Sequence, residues 1–175
     1  MQKEWLSRNA GKAASVLALG GMTMTNACTN IECPLNNTVY ATYNIYGTDS
    51  LKSFSITDTL TVTAVGTDSV LYNKGIGIST FTLPMSYTGA ADTLLFTWTD
   101  TSGNTGTDTL VIAHTNRVHF ESLDCNTTVF HTVTGVKWSV SEASSSPMQI
   151  DSVEVINPEI DYNGNENFRL YLSAR

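Results

Sequence analysis

The stretch that decides the fold is Thr59-Leu60-Thr61-Val62-Thr63-Ala64, in which hydroxyl and apolar side chains alternate. A period of two places Leu60, Val62 and Ala64 on one face of a strand and the three threonines on the other. One face of this strand is therefore buried and the other is solvated. Such a pattern is typical of a strand in an antiparallel sheet.

Similar runs, rich in β-branched and aromatic residues, occupy the chain from residue 38 onward. They are Val39–Tyr46, Val70–Tyr72, Ser79–Leu83, Thr93–Trp98, Thr109–Ala113, Val118–Leu123, Thr128–Val133, Val136–Val140, Ile150–Ile156 and Phe168–Leu172. Turn residues such as Ser102-Gly103-Asn104 separate the runs, and no helical period follows Cys28. About ten short strands at regular spacing predict an all-β fold, an antiparallel β-sandwich that is immunoglobulin-like or similar. A β-barrel is the alternative.

The first 27 residues have the order of an export signal. Basic residues precede the short apolar run Ala13–Leu19, and the small residue Ala27 stands directly before Cys28. In a bacterial lipoprotein, the cysteine at this place becomes the acylated first residue of the mature chain. Cys28 is therefore the predicted lipidation site. Because Thr25 stands where such signals usually carry Leu, an ordinary thiol at Cys28 is the alternative.

These features divide the chain into three parts. We predict a signal peptide over residues 1–27, a lipid-anchored tether over 28–37 and a single β-sandwich domain over 38–175. A membrane-spanning helix needs about 20 consecutive apolar residues, and the sequence contains no such run. The predicted location is therefore the outer membrane or the periplasm, with the lipid as the link to the membrane.

The charge of the predicted mature chain is strongly negative. Without residues 1–27 it holds 6 basic and 15 acidic residues. An acidic surface without a cluster of Lys or Arg repels the phosphates of nucleic acids, which are therefore excluded as partners.

The chain has three cysteines, an odd number for an exported protein. If Cys28 carries the lipid, Cys33 and Cys125 remain as a pair for a disulfide. This bond would close a loop of roughly 90 residues, and loop-closure entropy predicts a stabilisation of about 4 kcal/mol. Two free thiols are the alternative. No cofactor or metal site is predicted, because the cysteines and histidines lack the close spacing of zinc ligands.

One tripeptide, Asp followed by Ser or Thr and then an aliphatic residue, occurs six times. Its hydroxyl residues are Ser50, Thr59, Ser69, Thr93, Thr109 and Ser152. The motif resembles the acceptor site for protein O-glycosylation in Bacteroidetes, so these six residues are candidate glycosylation sites. The simpler interpretation is that Asp ends a turn and the next two residues begin a strand. The two interpretations are compatible.

Residues of catalytic type are present, but none forms a recognisable motif. His114, His119 and His131 lack the sequence neighbours of a hydrolase triad or a metalloprotease helix. Six aromatic residues are candidates for a sugar-stacking surface or for core packing: Trp98, Trp138, Tyr43, Tyr46, Tyr87 and Tyr171. The sequence therefore favours a protein without enzymatic activity.

Several segments together resemble a known group of proteins. They are Cys33-Pro34-Leu35-Asn36-Asn37, 57–62, Leu83-Pro84-Met85-Ser86-Tyr87, His114-Thr115-Asn116, 125–138 and 156–172. In these segments the chain resembles an uncharacterised family of Bacteroidetes envelope lipoproteins, a domain of unknown function. The resemblance implies a cell-envelope lipoprotein and brings no catalytic residue or ligand.

These observations predict a non-enzymatic envelope lipoprotein, a binding or structural module for a protein or glycan partner. The alternative is a hydrolase that acts on envelope glycans, because the acidic turns contain many carboxylates and two of them need only converge in space.

Overall fold

The all-β prediction is confirmed by the computed structural model, which describes Cys33 and residues 37–67, 69–142 and 145–175. These residues contain ten strands and no helix. The strands are β1 Tyr40–Gly47, β2 Thr59–Ala64, β3 Ser69–Gly75, β4 Thr80–Pro84, β5 Ala91–Thr99, β6 Thr105–His119, β7 Thr128–Ser139, β8 Met148–Val155, β9 Glu159–Ile160 and β10 Glu166–Ala174. In this described part, no helix is long and apolar enough to span a membrane.

The strands form two sheets, in agreement with the predicted sandwich. One sheet has four strands in the order β4-β1-β10-β8, and the other has six in the order β3-β2-β5-β6-β7-β9. All neighbouring pairs are antiparallel except β1 and β10, which run parallel at the centre of the four-stranded sheet. The first and last strands of the domain are therefore neighbours.

The core lies between the two sheets and is built from the inward-facing members of each period-two run. In β2, Leu60 and Val62 are fully buried, as the alternation predicts. The centre of the core is aromatic. The ring of Tyr43 is stacked between those of Phe81 and Phe168, at centroid distances of 5.0 and 4.8 Å.

Strands β6 and β7 are longer than the sequence pattern indicates. The pattern predicts separate strands over 109–113 and 118–123, but residues 105–119 form the single strand β6. It also predicts separate strands over 128–133 and 136–140, which are joined in the single strand β7. Residues 120–123, which were predicted to be extended, lie in the loop before β7. A β-bulge between Ala113 and His114 lets the pairing of β6 with β7 continue through polar residues that interrupt the apolar pattern.

The predicted disulfide is present, and it joins Cys33 to Cys125 across a sequence separation of 92 residues. Cys125 lies in the loop that connects β6 and β7. The bond therefore holds the chain ahead of β1 against the end of the longest hairpin in the six-stranded sheet.

The opposite end of this hairpin is closed by the chain that leads into β8. Gly106 is buried in β6, and a Cβ atom at this position would lie only 2.1 Å from the Cβ of Ser146. Only glycine permits this approach. Ser146 is itself buried and donates a hydrogen bond to the carbonyl of Met148 at 2.6 Å.

Candidate functional site

Two of the three histidines meet at one end of the sandwich, where they share a single acceptor. The side-chain oxygen Oδ1 of Asn116 lies 2.8 Å from Nδ1 of His114 and 2.8 Å from Nδ1 of His131. The amide nitrogen of Asn116 donates to the carbonyls of Tyr87 and Gly89. The cluster therefore joins β6, β7 and the connection between β4 and β5.

The orientation of Asn116 determines the tautomer of both rings. Because its amide nitrogen donates to two carbonyls, its oxygen must be the atom that faces the histidines. An oxygen can only accept, so both His114 and His131 carry a proton on Nδ1. In His131, whose ring stays neutral, Nε2 is then an acceptor. Within the described residues, neither Nε2 atom has a hydrogen-bond partner.

Asp92 connects this cluster to the surface. One of its carboxylate oxygens lies 3.3 Å from Nε2 of His114 and accepts a hydrogen bond from the backbone N–H of Ser86. The carboxylate is 17 % exposed and lines a surface cavity of about 390 Å³. Burial, with the negative charge of Asp92, raises the pKa of Tyr43, whose hydroxyl has no partner among the described residues.

The geometry of the cluster favours a structural role for the histidines. The side chain of His114 is completely buried, and His131 is 1 % exposed. Burial and the neighbouring His114 lower the pKa of His131 to about 4, so this ring stays neutral. A general base must reach the proton that it removes, and neither ring reaches the cavity surface. Among the described residues, no group of three or more His, Cys, Asp or Glu is placed to hold a metal ion.

A different candidate lies on the solvent-facing side of the four-stranded sheet. Tyr46 of β1 is paired with Tyr171 of β10, and their rings lie 5.7 Å apart. In the neighbouring row of the sheet, Asn44 is paired with Arg169, which in turn is paired with Glu154 of β8. We call Tyr46, Tyr171, Arg169, Asn44 and Glu154 the tyrosine face.

Polar contacts hold the side chains of the tyrosine face in place. Arg169 donates two hydrogen bonds to the carboxylate of Glu166, from Nε at 2.8 Å and from Nη2 at 3.0 Å. Its guanidinium also lies 5.1 Å from the ring centre of Tyr46. The hydroxyl of Tyr171 donates to Glu154 at 3.0 Å, which raises the pKa of Tyr171. The face is therefore a preorganised array of two rings, two charged groups and one amide.

The six aromatic residues that the sequence indicates as candidates differ in burial and position. Trp98 and Tyr43 are fully buried, so they belong to the core and cannot stack on a sugar. Tyr46 and Tyr171 are brought together on the tyrosine face, while Trp138 and Tyr87 are exposed elsewhere. Parallel pairing of β1 with β10 creates the tyrosine pair.

The third histidine, His119, lies at the far end of β6 and takes no part in the cluster. Its ring is stacked on Phe130 at 4.3 Å, and its Nε2 lies 3.0 Å from a carboxylate oxygen of Glu121. Tyr162 packs edge-on against Phe130. These residues line a shallow surface cavity of about 200 Å³.

The candidate glycosylation sites are unequally accessible. Ser50 lies in the turn after β1 and Ser69 begins β3, and both are exposed. The other four, Thr59, Thr93, Thr109 and Ser152, are half-buried strand residues. The expectation that every motif lies where a turn meets a strand therefore does not hold for Thr93, Thr109 and Ser152, which are inside β5, β6 and β8.

The predicted lipidation site, Cys28, lies outside the described residues, as do the signal peptide over residues 1–27 and most of the tether.

Two contacts of the histidine cluster, those of Asn116 and Asp92 with the histidines, were not identified from the sequence. The spacing of His114 and Asn116 was a usable signal, because residues two apart on a strand share a face.

Comparison with known proteins identifies the family of the chain. No curated protein and no solved structure matches it. The sequence profile of one family matches residues 59–172, which are more than half of the chain and include β2 to β9 and most of β10. The chain belongs to this family, which is described as a family of unknown function (DUF6452).

Proposed function

We propose that this protein is an exported, lipid-anchored module of the bacterial cell envelope that has no enzymatic activity and binds a glycan or protein partner through the tyrosine face. The observation that carries the proposal is the half-exposed pair Tyr46 and Tyr171, which lies on the sheet beside a row of polar and charged side chains.

Export is supported by the disulfide as well as by the sequence. Disulfides persist in oxidising compartments such as the periplasm and are rare in the cytosol. Cys33 stands only five residues after Cys28, so the covalent link begins at the start of the predicted mature chain. With Cys33 and Cys125 joined to each other, Cys28 is the cysteine left for the lipid.

The chemistry of the tyrosine face favours a glycan over other partners. Sugars present apolar C–H faces, which pack against aromatic rings, and hydroxyl groups, which hydrogen bond to charged and amide side chains. Tyr46 and Tyr171 supply the rings, and Arg169, Glu154 and Asn44 supply the polar groups. Because Glu166 and Glu154 hold Arg169 and Tyr171 in place, little side-chain entropy is lost when a ligand binds.

A glycan array tests this proposal on the soluble chain that begins after Cys28. We expect the native sequence to bind at least one class of envelope glycan and Tyr46→Ala with Tyr171→Ala to lose most of this binding. The matched control is Tyr40→Ala, an exposed tyrosine on the same strand about 20 Å away. Equal binding by the double variant and the control would exclude the tyrosine face, and a protein partner would then be sought by crosslinking in cells.

The alternative function, a glycan-active hydrolase, has one observation in its favour. Asp92 is a carboxylate that reaches a surface cavity and contacts a histidine. Hydrolysis of envelope glycans that is lost in Asp92→Asn and kept in Tyr46→Ala would favour this alternative over the binding module.

Membrane fractionation tests the anchor independently of the ligand. We expect the native chain in the membrane fraction and Cys28→Ala in the soluble fraction, with the fold and the disulfide of the body intact. The control Cys33→Ser removes a different cysteine and is expected to remain in the membrane fraction.

A further inference from the structure

The loop between β6 and β7, residues 120–127, presents apolar side chains to solvent. Leu123 is fully exposed, and Phe120 is 60 % exposed. Val118, at the end of β6, is also exposed. Large apolar side chains grouped at the end of a hairpin indicate a contact surface.

The disulfide limits how far this loop can lie from the predicted lipid anchor. Cys125 belongs to the loop and is bonded to Cys33, with 5.4 Å between the two Cα atoms. Cys28 lies five residues before Cys33, and five residues span at most about 18 Å when fully extended. A lipid on Cys28 therefore keeps the loop within a short distance of the bilayer surface.

We propose that the β6–β7 loop rests on the membrane that holds the anchor, with Phe120 and Leu123 inserted among the lipid headgroups and the first acyl carbons. The inference rests on the proposed lipid anchor at Cys28 and adds a second point of contact. Phe and Leu are the residue types that bury favourably at this depth. Two contacts orient the body on the membrane, whereas the lipid alone leaves it free to rotate.

The charges of the loop determine which bilayer surface suits it. Glu121 and Asp124 are exposed and acidic, while the nearby basic side chain of Arg117 lies over the ring of Phe130. His119 forms a pair with Glu121. An excess of acidic groups disfavours anionic lipids, so the expected surface is one of zwitterionic headgroups.

Fluorescence of a tryptophan placed in the loop tests this contact. The full chain with Leu123→Trp and Trp138→Phe is produced in a bacterium that acylates lipoproteins and is placed in phosphatidylcholine vesicles. In the mature chain, from which residues 1–27 and with them Trp5 have been removed, Trp98 then remains as a fully buried reference. We expect the tryptophan of the Leu123→Trp variant to emit at a shorter wavelength than a solvated indole. We also expect its fluorescence to lose intensity when the acyl chains of the lipids are brominated.

The matched control is Ile76→Trp in the same background, because Ile76 follows β3 and is 64 % exposed. Its emission is expected to stay at the wavelength of a solvated indole and to be unaffected by bromine. A shift at residue 123 without quenching would mean that protein covers the loop and would overturn the inference. An unshifted, unquenched emission at residue 123 would overturn it as well.

The mass of the purified chain separates this inference from the proposed function. A chain that carries lipid at Cys28 but shows no quenching at residue 123 refutes the loop contact alone. A chain that carries no lipid refutes the anchor and, with it, the loop contact. The double variant Phe120→Ser with Leu123→Ser is expected to remain lipidated and membrane-bound. When Val118→Trp is added, its fluorescence is expected to be quenched less in this double variant than in a chain with the native loop.

Discussion

Asp108 and Trp98 lie on adjacent strands, and the carboxylate of Asp108 accepts a hydrogen bond from Nε1 of the indole at 3.1 Å. The same carboxylate accepts from the backbone N–H groups of Ser141 and Ile150, each at 2.8 Å. Asp108 is fully buried, and these three bonds compensate its charge. The residue thus joins β6 to the chain on both sides of the β7–β8 connection.

Removal of this carboxylate is expected to be strongly destabilising. Asp108→Ala leaves the buried donors of Trp98 and Ile150 without this acceptor and removes the bond to the part-buried N–H of Ser141, and the predicted loss in the free energy of unfolding is about 3–5 kcal/mol. Urea denaturation of the soluble body measures it. The control is Asp151→Ala, which alters the same tripeptide motif where the aspartate bonds to Thr48 and Gln149 near the surface. A loss of about 1 kcal/mol or less is expected there, and equal losses in both variants would contradict the assignment.

The buried His131 predicts a pH dependence of stability. Its pKa in the folded protein is about 4, below the value of about 6.5 in an unfolded chain. Between these pH values the unfolded state binds more protons, so the free energy of unfolding falls as the pH is lowered from 6.5 to 4. The full decrease is on the order of 3 kcal/mol, and it is absent above pH 7.

A variant at His131 separates the contribution of this histidine to the pH dependence of stability from that of the carboxylates. Denaturation of His131→Gln between pH 4 and pH 7 is expected to show a smaller slope than that of the native chain. His119→Gln, which alters a partly exposed histidine outside the cluster, is the control for the loss of an imidazole. Parallel curves for the native chain and His131→Gln would show that His131 is protonated equally in the folded and unfolded states.

The disulfide is expected to contribute a large part of the stability of the body. Replacement of Cys33 and Cys125 by serine opens a loop of 92 residues, for which chain entropy predicts a loss of about 4–5 kcal/mol. Urea denaturation with and without reductant measures this loss. A double variant as stable as the native chain would show that other contacts already constrain the loop in the unfolded state.

O-glycosylation is expected only where the hydroxyl is accessible. Ser50 and Ser69 are exposed, whereas Thr59, Thr93, Thr109 and Ser152 are half-buried on strands. Mapping of glycopeptides from protein made in the native host is expected to place sugar on Ser50 and Ser69, and Ser50→Ala with Ser69→Ala is expected to abolish it. Sugar on Thr109, inside β6, would show that modification precedes folding.

The sequence was sufficient to predict the class of fold, because alternation in runs such as 59–64 depends on local burial alone. It was insufficient for β6, where Asn116 and Arg117 interrupt the apolar pattern while the ladder to β7 continues. Strand propensity and the hydrophobic period are properties of a single strand. The length of β6 depends instead on its hydrogen bonds to β7.

The candidate sites were less predictable than the fold because they depend on residues that are distant in sequence. Tyr46 and Tyr171 are neighbours only because β1 pairs in parallel with β10. His114 and His131 were singled out separately, but their shared acceptor, Asn116, requires the register of β6 against β7. The disulfide could be predicted although its cysteines are distant in sequence, because the chain has only three cysteines and therefore few possible pairs.

The intact mass of the mature protein, extracted from membranes, tests the proposed anchor most directly. We expect a chain that begins at Cys28 and carries the added mass of acyl groups on that residue, with the disulfide between Cys33 and Cys125 intact. A mature chain without acyl mass, or one that still contains residues 1–27, would contradict the proposal of a lipid-anchored envelope protein.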